Sequence, residues 1–213
     1  MKQLFQTSNK VKILEIVFLF VLSPIVLFLS IPIYFKVVYL LLGVVYIILI
    51  SIFIENFRKV KVDKTIKQNA FKQIGIRFLA IALLTTLVLY FQDKEALFNV
   101  MLNKPTLWLK FSGVYILFSV IPQELIYRTF FVKRYQELIK NRKVFFLINS
   151  TLFSFAHIWF QSWIVLLFTF IGSLLFVDIY LKTKTSWLII LEHALYGVWL
   201  YTVGYGVLFM FPV

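Results

Sequence analysis

The stretch VVYLLLGVVYIILISIFI, residues 37–54, contains no charged residue and decides the fold class. As a helix rising about 1.5 Å per residue, a run of this length is close to the roughly 30 Å needed to cross the hydrocarbon core of a bilayer. Comparable apolar runs recur along the chain, so we predict spans at 13–31, 37–54, 74–91, 110–131, 144–160, 163–181 and 186–203. The sequence therefore predicts an all-α, polytopic transmembrane helical bundle of about seven spans.

Composition supports lipid as the solvent of this chain. Of the 213 residues, 62% are hydrophobic and only 15% are charged, and the mean hydropathy is +0.92. A soluble domain has about a quarter of its residues charged. The chain contains no cysteine, which excludes a disulfide framework, a thiolate metal site and a thiol nucleophile.

The net charge of +13 describes topology rather than a nucleic-acid partner. Sixteen of the 22 lysines and arginines fall in the segments 1–12, 55–73, 132–143 and 182–185, which share one side of a seven-span layout. The positive-inside rule then predicts that the N-terminus is inside and the C-terminus outside. We expect membrane lipid as a partner, through anionic headgroups, and no nucleic acid.

Some charged residues lie near predicted span ends. Glu15 and Arg77 are close enough to an end for their side chains to snorkel towards the interface. The basic segment 55–73 alternates charged and apolar residues, which predicts an amphipathic helix on the inner surface. Asp178 precedes Lys182 by four residues, which predicts an interfacial ion pair.

Ionisable residues inside spans are rare and costly, so each one is a candidate for function. They concentrate in the later predicted spans, and both histidines of the chain are among them: Glu124, Arg128, His157, Asp178, Glu192 and His193. Glu124 and Arg128 are four residues apart and predict an ion pair within one helix. Counted along helices, Glu124, His157 and His193 reach the inner half of the bilayer, where one cavity can hold all three.

Three short motifs accompany these residues. Residues 122–128 read PQELIYR, residues 153–157 read FSFAH and residues 193–197 read HALYG. In order and spacing they resemble the motifs Glu-Glu-x-x-x-Arg, Phe-x-x-x-His and His followed four residues later by Asn. These belong to the CPBP family, which includes type II CAAX prenyl endopeptidases and bacteriocin-processing or self-immunity proteins. The resemblance covers roughly residues 110–203, and we divide the chain into N-terminal transmembrane helices at 1–107, with a basic inner loop, and a CPBP-like protease core at 108–213.

The resemblance implies an intramembrane endopeptidase in which a glutamate and a histidine activate water. By the motifs, His157 matches the water-activating histidine and His193 the histidine that stabilises the oxyanion, while Arg128 would hold the carboxylate of Glu124. A general base must take a proton from water, and preorganised donors must meet the negative charge that develops. These roles are expectations that the resemblance carries.

Two positions depart from the family motif. The first glutamate is Gln123, whose amide is no general base, and the motif-three Asn is Gly197, which removes one oxyanion donor. Two hypotheses supply the missing carboxylate: Glu192, beside His193, replaces it from another helix, or Glu124 itself faces the water. The alternative for Glu192 is a structural hydrogen bond to Tyr196, one turn away.

The cofactor is left open by the sequence. A site of Glu124, His157 and His193 would offer three N/O ligands and an open position, which suits a catalytic divalent metal such as zinc. Nothing in the sequence requires a metal. The chain lacks His-Glu-x-x-His and Gly-x-Ser-x-Gly, which excludes the zincin helix and the hydrolase elbow.

The sequence thus predicts an intramembrane endopeptidase acting on a membrane-associated peptide or protein. One alternative is a catalytically degenerate CPBP relative that works as a membrane scaffold, immunity protein or regulatory protein, which Gln123 and Gly197 favour. Another is a small transporter or proton relay built on the titratable residues. The expected location is a bacterial inner membrane; the substrate's identity and the oligomeric state stay open.

Overall fold

The computed structural model describes residues 8–53 and 62–212. Over this part of the chain there is no β-strand, and the all-α prediction is confirmed. The helices are α1 Asn9–Phe28, α2 Ile33–Phe53, α3 Lys64–Gln92, α4 Asn99–Asn103, α5 Pro105–Tyr135, α6 Arg142–Phe155, α7 Trp163–Thr183 and α8 Ser186–Val203. All seven predicted spans correspond to helices, and the short α4 is an addition.

Five of these helices, α1, α2, α3, α5 and α7, are long and apolar enough to cross a membrane. The chain is an integral membrane protein. Helix α6 has 14 residues, about 21 Å at 1.5 Å per residue, which is shorter than the hydrocarbon core. Helix α8 has 18 residues and carries Glu192 and His193. The count of seven crossings and the orientation stay predictions.

Helix boundaries differ from the sequence prediction at three places. Helix α3 begins at Lys64, so residues 64–73 continue into the span and form no separate surface helix; the rest of that prediction falls partly on 54–61, outside the described residues. Helix α5 runs to Tyr135, past the predicted end at 131. Helix α6 ends at Phe155 instead of 160, so His157 lies beyond the helix.

The described residues divide into two compact units. Unit 1 combines the residues before the gap at 54–61 with Ile126–Val177, and unit 2 combines Val62–Leu125 with the residues from Asp178 onward. Unit 1 is centred on Phe20 of α1, which is fully buried. Its ring meets Tyr127 and Phe131 of α5 edge-on, with centroids 5.1 and 5.0 Å apart. Edge-to-face aromatic contacts of this kind add to the stabilisation from apolar burial.

A buried ion pair joins α1 to α5 within unit 1. Glu15 accepts hydrogen bonds from Arg134 Nε at 2.9 Å and Nη2 at 2.7 Å, and from Tyr46 Oη of α2 at 2.6 Å. Both members of the pair are buried. The prediction that Glu15 snorkels is therefore wrong, as is the placement of Arg134 in an inner loop. A carboxylate held by a two-point arginine contact has its charge compensated without reaching water.

Helix α5 changes its winding around the first motif. It is π-helical at Ile116–Val120 and again at Leu125–Phe130, on either side of an α-helical turn that contains Pro122. Proline lacks an N–H and clashes with the preceding turn, and π turns often accompany such disturbed sites. In unit 1 the Tyr127 carbonyl accepts a hydrogen bond from Asn149 Nδ2 of α6 at 2.7 Å.

Unit 2 contains α3, α4, the first part of α5, the end of α7 and α8. Tryptophan–threonine hydrogen bonds connect its helices: Trp199 of α8 donates to Thr85 of α3, and Trp108 of α5 donates to Thr202 of α8, both at 2.9 Å. Helix α8 ends at Gly204, whose φ of +131° strains any other residue, and a Cβ there would lie 2.5 Å from the Ala96 carbonyl oxygen. These contacts fix α8 against its neighbours in unit 2.

Candidate active site

An acid–histidine pair lies at the core of unit 2. Glu124 is in the short α-helical turn of α5, and His193 is near the middle of α8. The distance from His193 Nδ1 to Glu124 Oε1 is 2.7 Å, a hydrogen bond at the short end of the usual range. Glu124 is fully buried and His193 is 7% exposed. The pair thus brings together two of the side chains that the sequence singles out.

The pair determines which nitrogen of His193 can react. An ionised carboxylate only accepts hydrogen bonds, so with Glu124 ionised the proton sits on Nδ1 of the imidazole. The lone pair is then on Nε2. A carboxylate in this position also stabilises the imidazolium that forms when Nε2 takes a proton. The arrangement is that of a histidine base with an orienting acid.

Gln123 occupies the position of the missing glutamate. Its Nε2 donates to Ser119 Oγ at 2.9 Å, one turn earlier in α5. Its Oε1 is buried and has no hydrogen-bond partner among residues 8–53 and 62–212. An amide in this place offers a donor and an acceptor but no base.

Gly197 stands one turn after His193 on α8, where the motif has Asn. A Cβ built on Gly197 would lie 2.0 Å from the hydroxyl oxygen of Tyr115 and 2.5 Å from its ring carbon Cε1. No real Cβ tolerates such contacts. The hydroxyl end of Tyr115, from α5, therefore fills the space that a side chain at position 197 would need.

Glu192 belongs to a charged network in unit 2. Its Oε1 accepts a hydrogen bond from Tyr196 Oη at 2.8 Å, and it lies 3.5 Å from Arg77 Nη1 of α3. Arg77 Nη2 is in turn 2.8 Å from Asp178 Oδ2, and Lys182 Nζ is 2.6 Å from the same oxygen. The predicted Asp178–Lys182 pair and the Glu192–Tyr196 bond are confirmed. Arg77, which the sequence placed near enough to a span end to snorkel, is a member of this network, and its side chain is 20% exposed.

His157 lies in unit 1, in the turn that follows α6. Its Nδ1 is 2.8 Å from the Phe153 carbonyl oxygen, and its ring stacks on Phe160 at a 13° interplanar angle. A carbonyl only accepts, so Nδ1 carries the proton in this contact and Nε2 carries the lone pair. The predicted span 144–160 puts His157 inside a helix; the structure corrects this, because α6 has already ended at Phe155.

Arg128 is fully buried in unit 1. Its Nη2 donates to Ser173 Oγ of α7 at 2.8 Å, and its guanidinium carbon lies 4.1 Å from the centre of the Phe153 ring and 5.2 Å from that of Phe176. Cation–π contacts are a common way to hold an arginine in an apolar setting. The predicted ion pair with Glu124 stays a prediction.

The site residues are divided between the two units. Unit 2 holds Gln123, Glu124, Glu192 and His193, and unit 1 holds Arg128 and His157. A shared cavity for Glu124, His157 and His193 stays a prediction. Across the described part of the chain, no group of three His, Cys, Asp or Glu residues is placed to hold a metal ion. The zinc set named from the sequence likewise stays a prediction, and the chemistry below does not depend on it.

Sequence reasoning missed two contributors to this site. Tyr115 gave no signal because it is one of 11 tyrosines in an apolar chain, and its closeness to Gly197 depends on how α5 meets α8. Arg77 was named only as a residue near a span end. The signal that was available is the rule that an arginine inside an apolar run needs a carboxylate partner. Glu192 and Asp178 are carboxylates that could have been paired with Arg77 on that basis.

Comparison with known families bears directly on these residues. Residues 105–199 match the family model described as "Type II CAAX prenyl endopeptidase Rce1-like". This match supports membership of this region in the CPBP family. The match includes all three motifs and supports a CAAX-type intramembrane protease as the kind of function. Comparisons with curated proteins and with solved structures give no match.

Proposed function

We propose that the chain is an intramembrane endopeptidase that hydrolyses a peptide bond in a membrane-associated substrate. The observation that carries this proposal is the 2.7 Å hydrogen bond between His193 Nδ1 and Glu124 Oε1, buried within unit 2. This bond couples a carboxylate to a base. The amide of Gln123, at the position of the motif's first glutamate, offers no carboxylate. The CPBP match over residues 105–199 supports the same reaction class.

In the proposed reaction, His193 Nε2 takes a proton from water while the water oxygen attacks the peptide carbonyl carbon. Glu124 stabilises the resulting imidazolium, and donors in the site stabilise the negative oxygen of the tetrahedral intermediate. His193 then returns the proton to the leaving nitrogen. One water is consumed, and the products are a carboxylic acid and an amine.

This scheme changes the role that the resemblance gives to His193. The resemblance assigns it to the oxyanion and assigns water activation to His157. We assign the base to His193 because a carboxylate lies behind its Nδ1, whereas Nδ1 of His157 contacts a backbone carbonyl. A carbonyl is a weaker partner for an imidazolium than an ionised carboxylate. His157 stays a candidate second histidine of the site.

The test is cleavage in a bilayer by wild type, Glu124→Gln, His193→Ala and the double variant. The purified chain would be reconstituted with proteins extracted from a bacterial inner membrane, and new peptide termini would be identified by mass spectrometry. We expect each single change to lower kcat by about 100-fold or more. The double variant should be no slower than the worse single one, because the two residues act as a unit.

Independent losses that multiply in the double variant would contradict the pair mechanism. His157→Ala provides a second comparison. If it abolishes cleavage while His193→Ala retains most of it, the roles follow the family motif and the assignment of the base to His193 is wrong. Matched unfolding curves for all variants exclude loss of folding as the cause.

The alternative of a non-proteolytic CPBP relative is favoured by one observation, the amide of Gln123 at the position of a catalytic glutamate. Absence of cleavage by a folded wild-type chain would support it. In that case Gln123→Glu, which restores the motif, is the variant to examine next.

A further inference from the structure

Gly197, one of the two departures from the motif, is in close proximity to Tyr115. Gly197 faces the hydroxyl end of Tyr115 so closely that a Cβ would overlap three atoms of the ring and hydroxyl, all within 2.5 Å. The tyrosine ring is rigid, so its hydroxyl end cannot bend away from a Cβ at position 197 as the end of a lysine side chain could. Position 197 therefore carries no side chain as long as Tyr115 stays where it is.

Tyr115 is held beside the reactive pair. Its ring meets the His193 imidazole edge-on, with centroids 6.1 Å apart and planes at 79°. On another side it meets Phe211 at 5.3 Å and 89°. Two edge-on contacts fix the ring, whose conformation depends on only two side-chain torsions, so the hydroxyl has a defined position. That position lies next to α8, one helical turn after His193.

We propose that the Tyr115 hydroxyl donates the oxyanion hydrogen bond that the motif places on Asn at position 197. This inference rests on the proposed endopeptidase function. The Tyr115 hydroxyl, from α5, lies where the side chain of an Asn at position 197 of α8 would begin. This place is one helical turn after His193, the proposed base. A phenol hydroxyl is a good donor to developing negative charge, and a preorganised donor needs no rearrangement during the reaction.

The packing side of the proposal is tested without any substrate. Gly197→Ala and Gly197→Asn should lower the unfolding temperature in detergent, and Tyr115→Ala should relieve both losses when combined with them. Gly113→Ala is the matched control, because a Cβ at Gly113 meets nothing within 4 Å. Additive effects of the changes at 115 and 197 would overturn the juxtaposition.

The chemical side is tested by kinetics on the membrane-protein substrate mixture. Removal of one oxyanion donor typically lowers kcat by about 100-fold or more, and we expect this for Tyr115→Phe with KM little changed. Tyr115→Ala combined with Gly197→Asn should recover part of the rate lost in Tyr115→Ala. Tyr90→Phe, at an exposed tyrosine of α3, is the control and should keep the wild-type rate.

The outcomes separate this inference from the proposed function. An active wild type with an equally active, folded Tyr115→Phe variant overturns the role of Tyr115 and leaves the endopeptidase proposal standing. A folded wild type that cleaves nothing overturns both. A kcat loss in Tyr115→Phe together with rescue by Asn at position 197 supports the donor role, since a purely structural tyrosine would not be replaced by an amide on another helix.

Discussion

Glu192 and Glu124 are both fully buried carboxylates of unit 2, but their partners differ. Glu124 contacts the imidazole of His193, whereas Glu192 contacts Tyr196 and the guanidinium of Arg77. The carboxylate of Glu124 is thus placed to orient an imidazole base, whereas that of Glu192 is bound to a hydroxyl and a guanidinium. The contacts therefore favour a structural role for Glu192 and a chemical one for Glu124.

The first prediction follows from this difference. Glu192→Gln should lower the unfolding temperature, because it leaves Arg77 with less compensating charge, and should retain kcat within about tenfold of wild type. Cleavage rates and unfolding curves, measured on the same preparation, check this. A kcat loss as large as that of Glu124→Gln, in a variant of normal stability, would instead make Glu192 the carboxylate that replaces Gln123.

At the scale of elements, α1 and α5 are connected by the buried Glu15–Arg134 pair in unit 1. Its side chains are 5% and 1% exposed, and the closest N–O distance is 2.7 Å. Removal of one partner leaves a buried charge without its counterion. The cost of that is typically about 3–5 kcal/mol, whereas replacement of both partners by apolar residues of similar volume is often neutral.

We therefore expect Glu15→Met and Arg134→Met each to destabilise the protein strongly, and the double variant to recover most of the loss. Thermal or denaturant unfolding in detergent measures this, with Glu95→Gln as a control at an exposed acid. Single variants that unfold like wild type would show that the pair contributes little to the contact of α1 with α5.

The helices were predictable because the apolar runs are long and charged residues separate one run from the next. All seven predicted spans correspond to observed helices, but the predicted end of α6, at 160, lies five residues beyond the observed one. Periodicity gives no sign that the chain turns at Ala156 and His157, since the apolar pattern continues past that turn. The short α4 lacks the length that makes a helix visible in sequence.

Contacts between distant helices explain what the sequence left out of the site. The residue types and motifs identified Glu124 and His193, but the 2.7 Å bond between them depends on packing of α5 against α8 in unit 2. The same holds for Tyr115 with Gly197 and for Arg77 with Glu192. Hydrophobicity patterns specify which face is buried, and they contain no information on which partner meets it.

At the scale of the whole molecule, the number of crossings determines which side of the membrane each loop faces. Seven crossings with an inside N-terminus put Gln161 outside and Lys184 inside. If only the five helices that qualify by length and composition cross the membrane, Gln161 lies inside and Lys184 lies outside. The two layouts therefore differ at two accessible turns of the chain.

Because the chain has no cysteine, single cysteines introduced at these turns can be labelled selectively. We expect Gln161→Cys to react with a membrane-impermeant maleimide from outside and Lys184→Cys to react only from inside. Lys94→Cys is the control, since both layouts place it outside. Labelling of Gln161→Cys only from inside and of Lys184→Cys from outside would contradict seven crossings and support five.

In the proposed reaction, water activated by the Glu124–His193 pair hydrolyses the peptide bond. The most direct measurement is cleavage in H₂¹⁸O by proteoliposomes that contain the purified chain and bacterial inner-membrane proteins, followed by mass spectrometry of the products. We expect new peptide carboxyl termini that carry ¹⁸O with wild type and are lost with Glu124→Gln. No labelled termini from a folded wild type, or equal labelling with Glu124→Gln, would contradict it.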